Sequence, residues 1–224
     1  MSIVNFTNTV PLPLSDPLYD TLVKTVLASY PRACIVMIDR VQIPEVNADY
    51  ERKRAEFGSA SQELSLWHGT REANVESICT SGFQPQKGRT MAYGDGIYFA
   101  KEFAYSWHYA KDEFRLENQT DLSYIFLVKV LPGRVYASPG HRGPAPQGYD
   151  SCASSDLSIF AIPQAAQMKP EYLIRFHKRS ETSVTTPQRR VEHAEELNEA
   201  EMEKRVAKMM RSVKSKITRN LRHQ

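Results

Sequence analysis

Apolar residues recur at distinct spacings along this chain, and each spacing predicts a helix or a strand. After Pro17 the apolar side chains return every three or four residues, as in one face of a helix. They are Leu18, Leu22, Val23 and Val26. Asp16 occupies the N-cap position and Pro17 the first helical position, and both residue types favour a helix start. We therefore expect a first helix that ends near Tyr30 and Pro31.

The rest of the pattern predicts strands and helices in irregular order. Residues 33–41 are apolar and β-branched, as in a strand, and residues 46–57 have helical spacing. A strand at 64–68 leads into Gly69, and a helix then runs from Arg71 to Gly82. Further elements are a strand at 97–100, a helix from Lys101 to about Ala110, and strands at 124–131, 158–162 and 172–176. Residues 132–133 and 138–148, rich in Pro and Gly, predict loops.

This order predicts the fold class. Strands and helices are mixed without regular βαβ alternation, which favours an α+β fold with a mostly antiparallel sheet and flanking helices. A chain of 224 residues suits one domain of ordinary size. We expect an N-terminal lead over residues 1–15 and the main domain over residues 16–180.

Charge separates this domain from the C-terminal part. Residues 1–180 hold 19 basic and 19 acidic side chains, whereas residues 181–224 hold 10 basic and 7 acidic ones. Residues 181–190 read as a linker and residues 191–222 as a charged amphipathic helix with an apolar stripe. Such a helix could dock on its own domain or remain solvated, which we favour; contact with phosphate, an acidic partner or another protein is the alternative.

The cysteines and the apolar segments indicate in which cellular compartment the protein is expected. Cys34, Cys79 and Cys152 are far apart, which predicts reduced thiols rather than disulfides or a zinc site. The histidines also lack ligand spacing, so no metal is expected. No apolar stretch approaches the roughly 18 residues of a membrane-spanning helix, and the N-terminus lacks the features of a secretory signal. We expect an intracellular protein, in the cytoplasm or the nucleus.

Three groups of residues carry more His, Tyr, Ser and Gly than a core requires: residues 66–70, residues 93–100 with 105–109, and residues 148–151 with 158–160. Tyrosine faces can hold a flat aromatic ring, and a glycine lets a backbone amide approach a ligand closely. Histidine and hydroxyl side chains suit the ribose hydroxyls. Cleaving the bond between nicotinamide and ribose in NAD needs this inventory, because its transition state is an oxocarbenium ion. Each residue alone is more often structural, but core packing does not require the combination.

These residues resemble the catalytic domain of the poly(ADP-ribose) polymerase family, particularly its members that transfer a single ADP-ribose. The resemblance runs from about Pro31 to Phe176. Its motifs are Arg40-Val41-Gln42, Tyr50, His68-Gly69-Thr70, residues 93–100 (Tyr-Gly-Asp-Gly-Ile-Tyr-Phe-Ala), Tyr149-Asp150-Ser151 and residues 167–174. It implies an ADP-ribosyltransferase fold and NAD as the cosubstrate.

The resemblance also implies a role for individual residues. His68 corresponds to the first residue of the family triad, which orients NAD, and Tyr98 to the second, which packs on the nicotinamide. Gly69 corresponds to the backbone group that holds the carboxamide, and Thr70 to a hydroxyl near the adenosine ribose. In the next helix, the carboxamide-binding serine and the tyrosine on the opposite ring face correspond to Ser106 and Tyr109.

The third triad position is a glutamate in the chain-elongating members and is Ile159 here. Isoleucine cannot accept a proton or a hydrogen bond, so we expect transfer of one unit to a protein acceptor of unknown identity. Asp156 lies three residues earlier, and on a strand it would point to the opposite face. Two alternatives stay open: a catalytically silent module that binds NAD, ADP-ribose or a protein, and transfer to nucleic-acid ends.

Overall fold

The computed structural model describes residues 4–58, 62–85, 92–110 and 122–178. Within these ranges the chain forms four α-helices and nine strands, and all of them belong to one compact unit. In chain order they are β1 (Thr9–Pro11), α1 (Pro17–Ser29), β2 (Ala33–Val41), α2 (Pro44–Phe57), β3 (Leu64–Thr70), α3 (Glu72–Ser81), β4 (Ile97–Ala100), α4 (Phe103–Ala110), β5 (Ser123–Val130), β6 (Val135–Ser138), β7 (Ser151–Ser154), β8 (Ile159–Ile162) and β9 (Met168–Lys178).

The strands form one sheet in the order β1-β2-β9-β5-β3-β4-β8-β7-β6. All neighbouring strands pair antiparallel except β6 and β7, which confirms the predicted α+β class and mostly antiparallel sheet. Strands β3 and β4 are joined by a single residue pair, Trp67 with Ala100. We call this junction the seam, because it separates a five-stranded half from a four-stranded half.

Alternation along β3 places helices on both faces of the sheet. Leu66 packs in a cluster with Val75 and Ile78 of α3. The next residue, Trp67, packs in a second cluster with Leu22 of α1 and Phe103 of α4. The sheet is therefore covered by α3 on one face and by α1 and α4 on the other.

The first predicted helix starts as its sequence requires. The Asp16 side chain accepts a hydrogen bond from the Leu18 backbone N–H at 3.0 Å, and Pro17 fills the first turn. The helix ends before Tyr30, where the apolar spacing also stops. Gly82 ends α3 with a φ of +70°, a conformation that glycine adopts without strain. These predicted boundaries are confirmed.

Three short strands were not predicted, and one strand is longer than expected. β1, β6 and β7 have three or four residues, too few for a period of two to stand out from neighbouring loops. β9 begins at Met168 rather than at Tyr172, because a register shift opposite Leu127 and Val128 accommodates Pro170 inside the strand.

The predicted linker at 181–190 and the predicted helix at 191–222 lie outside the described residues. The boundary near residue 180 thus stays a prediction. None of the helices in the described part of the chain combines the length and apolarity needed to cross a bilayer. All three cysteines are free thiols, as predicted, with Cys79 and Cys152 buried.

Candidate active site

A cavity of about 880 Å³ opens at the seam, where the backbone ladder between β3 and β4 stops. Its volume falls within the range of about 300–1,000 Å³ that is usual for ligand pockets. The cavity is lined by all seven residues singled out from the sequence: His68, Gly69, Thr70, Tyr98, Ser106, Tyr109 and Ile159. The fold therefore brings together residues that are up to 91 positions apart, between His68 and Ile159.

The three residues predicted to form the triad lie on three consecutive strands of the sheet. His68 is on β3, Tyr98 on β4 and Ile159 on β8, and these strands are neighbours in that order. Ile159 pairs with Ala100, and Ala100 is also the β4 residue of the pair that forms the seam. The sheet topology alone thus aligns these three positions across the cavity.

The His68 side chain bridges the seam. Its Nδ1 lies 2.8 Å from the Tyr98 carbonyl oxygen, and since a carbonyl only accepts, Nδ1 carries the proton and donates it. Burial lowers the pKa of His68 to about 4, against the opposing effect of this hydrogen bond, so the imidazole is neutral at pH 7. Its Nε2 therefore remains an acceptor. The ring is also held edge-on by Phe83, with 4.9 Å between centroids.

Gly69 allows α4 to pack directly on β3. A Cβ at this position would lie 1.8 Å from the Ser106 carbonyl oxygen and 3.1 Å from the Ala110 nitrogen. Both are backbone atoms that cannot move without shifting the helix. Any larger residue would therefore displace the helix that carries Ser106 and Tyr109.

Helix α4 contributes two predicted ligand-binding residues of different exposure. Ser106 is 3% exposed, and its hydroxyl donates to the Trp67 carbonyl at 3.0 Å, so its oxygen keeps lone pairs to accept a hydrogen bond. Tyr109, one turn later, is 56% exposed and lines the cavity. The helix therefore presents an anchored hydroxyl and a broad aromatic face to the same space.

The Tyr98 hydroxyl fixes the segment that precedes β4. It accepts from the Tyr93 backbone N–H and donates to the Gly94 carbonyl, each at 2.8 Å. Gly96 in this segment has a φ of +140°, and a Cβ there would lie 2.4 Å from the Ile162 carbonyl oxygen. Burial raises the pKa of Tyr98, so the hydroxyl stays protonated at neutral pH.

Thr70 lies toward α3, at another part of the cavity. Its Oγ1 accepts a hydrogen bond from the Asn74 side-chain amide at 3.2 Å. Ser77 and Gln84 also line the cavity on this side. This part of the cavity therefore offers hydroxyl and amide groups that can form hydrogen bonds with a ligand.

Ile159 places an apolar side chain at the third triad position. It is 7% exposed, and its backbone N–H donates to the Ser154 hydroxyl at 3.0 Å. The expectation that Asp156 lies on the same strand is wrong, because Asp156 belongs to the turn between β7 and β8. Its carboxylate accepts hydrogen bonds from the Ser154 and Ser158 hydroxyls, and these bonds lower its pKa to about 2.

Sequence reasoning missed Arg71 and Asn74, which line the cavity, and it gave no individual role to Tyr93 and Tyr105, although both lie in segments that it had singled out. Tyr105 had a further signal that could have suggested a role, since it lies four residues before Tyr109 and so shares its helix face. In the described part of the chain, no group of His, Cys, Asp and Glu side chains is arranged to hold a metal ion.

Fold and site together have the features expected of an ADP-ribosyltransferase catalytic domain: a largely antiparallel sheet with flanking helices and a His, Tyr and Ile series on adjacent strands. The family model described as "Poly(ADP-ribose) polymerase catalytic domain" matches residues 19–139, more than half of the chain. The chain belongs to the poly(ADP-ribose) polymerase catalytic domain family.

Curated relatives carry consistent names. The chain is 35% identical over 164 residues to protein mono-ADP-ribosyltransferase PARP12 of Homo sapiens, covering 66% of the chain and 22% of the relative. It is 29% identical over 173 residues to protein mono-ADP-ribosyltransferase PARP11 of Mus musculus, covering 64% of the chain and 52% of the relative. A third relative, protein mono-ADP-ribosyltransferase PARP14 of Homo sapiens, is 29% identical over 181 residues, covering 73% of the chain and 10% of the relative. The chain thus spans between a tenth and about half the length of these relatives.

Proposed function

We propose that this chain is an NAD-dependent mono-ADP-ribosyltransferase, which transfers one ADP-ribose from NAD to a protein acceptor and releases nicotinamide. The observation that carries the proposal is the convergence of His68, Tyr98, Ser106 and Tyr109 on one cavity that has Ile159 at its third triad position. The names of the three relatives described above, each a protein mono-ADP-ribosyltransferase, support the same conclusion.

The proposed role of each residue follows from its contacts. The nicotinamide ring lies between the rings of Tyr98 and Tyr109, which offer flat faces to an aromatic ligand. The Gly69 backbone and the Ser106 hydroxyl hold its carboxamide, and Nε2 of the neutral His68 accepts a hydrogen bond from a ribose hydroxyl. No residue in this set has to change its charge during binding.

In the proposed reaction, the bond between the ribose C1′ and the nicotinamide nitrogen breaks, and its electron pair neutralises the pyridinium ring. Positive charge develops on the ribose, and a lone pair of the acceptor forms the new bond to C1′. Ile159 cannot take a proton from a neutral hydroxyl, so the acceptor brings a nucleophile that is already reactive, such as a carboxylate. A ribose hydroxyl of ADP-ribose that is already attached is not activated, and chain growth does not follow.

The test is incubation of the purified chain and a cell extract with NAD labelled in its adenine. We expect nicotinamide release and protein bands that each carry single ADP-ribose units, and loss of both with His68→Ala. Tyr136→Phe, at a half-buried tyrosine outside the cavity lining, is the control that should keep activity. Long polymers would refute mono transfer. NAD binding without nicotinamide release would indicate the silent module, and nuclease-sensitive product would indicate nucleic-acid ends.

We also propose that the protein acts inside the cell, in the cytoplasm or the nucleus. Three free cysteines are compatible with a reducing compartment. Fractionation of cells that express a tagged full-length protein tests this proposal, and recovery from the medium would contradict it.

A further inference from the structure

Tyr105 is a cavity residue to which the proposed function assigns no role. It precedes Ser106 on α4 and lies four residues before Tyr109, which places the two tyrosines on the same face of the helix. Both line the cavity, together with Tyr93 and Tyr98. Tyr105 is therefore part of a rim of four tyrosines around the proposed nicotinamide end.

The contact between Tyr105 and Tyr109 is direct. Their hydroxyl oxygens are 3.3 Å apart and share a hydrogen bond, and their ring centroids are 5.8 Å apart at an interplanar angle of 44°. Tyr105 is 41% exposed and Tyr109 is 56% exposed. The Tyr109 hydroxyl thus has its hydrogen-bond partner on the same helix.

An exposed tyrosine stacks on a ligand less tightly when nothing restricts its ring beforehand. Exposed side chains change rotamer on the picosecond to nanosecond timescale, and fixing one when a ligand binds costs conformational entropy. A partner that restricts the ring before the ligand arrives removes part of this cost. Burial and the neighbouring Tyr109 raise the pKa of Tyr105, so its hydroxyl remains protonated and able to donate at neutral pH.

We propose that Tyr105 is a positioning residue that holds the Tyr109 ring in place to stack on the nicotinamide of NAD. This inference rests on the proposed function, because it assumes that the nicotinamide binds between Tyr98 and Tyr109. Tyr105 acts through Tyr109, so its contribution is to binding of the ring rather than to the chemical step.

Comparing the binding of two ligands distinguishes positioning of the Tyr109 ring from a general disturbance of the cavity. Benzamide carries the same carboxamide on an aromatic ring as nicotinamide does, whereas ADP-ribose lacks that ring. In calorimetric titrations, we expect Tyr105→Phe to weaken benzamide binding about threefold to tenfold, as for loss of one hydrogen bond. Binding of ADP-ribose should change by less than about twofold, which also shows that the variant is folded. Tyr136→Phe, at a half-buried tyrosine outside the cavity lining, should leave both affinities unchanged.

A double-mutant cycle tests whether Tyr105 acts through Tyr109. Tyr109→Phe removes the other hydroxyl of the same hydrogen bond, so the Tyr105→Phe/Tyr109→Phe double variant should bind benzamide no more weakly than either single variant. In turnover with NAD, Tyr105→Phe should raise KM and leave kcat for nicotinamide release unchanged.

Three results would overturn the inference: wild-type benzamide affinity in Tyr105→Phe, equal losses for benzamide and ADP-ribose, or additive losses in the double variant. A different result separates the two proposals. If the wild-type chain binds neither benzamide nor NAD, the proposed function fails and this inference fails with it.

Discussion

At the scale of single residues, Gly69 is the position with the least room. The Gly69→Ala methyl group would overlap the Ser106 carbonyl oxygen, so α4 must shift away from β3. Overpacking of this kind costs about 1–3 kcal/mol, and in a protein of this size each kcal/mol lowers Tm by about 2–4 °C. We expect thermal unfolding to show a lower Tm for Gly69→Ala, together with weaker binding of benzamide.

Gly140→Ala is the matched control for this prediction. A Cβ at Gly140 would have its nearest contact at 3.7 Å, from the Ala92 carbonyl oxygen, and no positive φ is present there. Its Tm should therefore equal that of the wild type. An unchanged Tm in Gly69→Ala would show that α4 is not packed on β3 as closely as described.

His68 makes the stability of the fold depend on pH. Its pKa is about 4 in the folded state, below the 6.5 expected when unfolded, so the unfolded chain binds the proton more readily. The folded state is therefore favoured above pH 6.5 and loses this advantage as the pH falls toward 4. We expect the free energy of unfolding, measured in urea, to fall less between pH 7 and pH 4.5 in His68→Gln than in the wild type. Equal losses in both proteins would contradict the neutral, buried imidazole.

Residues with a distinctive chemical context could be located from the sequence, and others could not. His68, Ser106 and Tyr109 were assigned through the resemblance to the family, and the cavity does contain them. Asn74 had no such signal, because its place at the cavity depends on how α3 packs against the sheet. Strand geometry did not apply to Asp156, because it lies in a turn where its carboxylate accepts hydrogen bonds from the Ser154 and Ser158 hydroxyls.

At the scale of elements, the ring and the hydroxyl of Tyr98 have different roles: the ring lines the cavity, and the hydroxyl holds the segment before β4. Tyr98→Phe keeps the aromatic face and removes the two hydrogen bonds that hold residues 93 and 94. We expect this segment to become more mobile, which would show as faster amide hydrogen exchange at residues 92–96 and a severalfold higher KM for NAD.

Tyr136→Phe provides the comparison, because Tyr136 is half-buried and does not line the cavity. It should match the wild type in both measurements. If Tyr98→Phe also matched the wild type, the hydroxyl would have no part in ordering the segment before β4.

The elements differ in how far local sequence determines them. α1 begins at the Asp16 cap and α3 ends at Gly82, so these two bounds follow from the local sequence. β9 could not be bounded in this way, because Pro170 ordinarily interrupts a central strand and only its register shift against β5 accommodates it. β6 depends on parallel pairing with β7, a long-range contact that no local pattern encodes.

At the scale of the whole molecule, a buried ion pair ties the N-terminal segment to the sheet. Arg175 Nε on β9 lies 2.8 Å from Asp39 Oδ2 on β2, and both side chains are buried. The same guanidinium donates to the Val4 carbonyl and lies over the Phe6 ring, 4.8 Å from its centroid. Residues near both ends of the described chain thus meet at one cation.

Removing one partner should be much worse than removing both. Asp39→Asn leaves a buried cation without its counter-charge, which costs about 3–5 kcal/mol, whereas apolar replacement of both partners is often close to neutral. We expect urea unfolding to show a large loss for Asp39→Asn and a smaller one for Asp39→Leu/Arg175→Met. A double variant less stable than the single one would contradict this account.

The seam between β3 and β4 has a consequence for how such a domain can diversify. With one residue pair joining two ladders, the four-stranded part can be exchanged or redesigned while the hydrogen bonds of the five-stranded part stay intact. His68 and Ile159 fall on opposite sides of that border. The strands around Ile159 can therefore vary without changing the ladder that carries His68, as long as Tyr98 on β4 is retained.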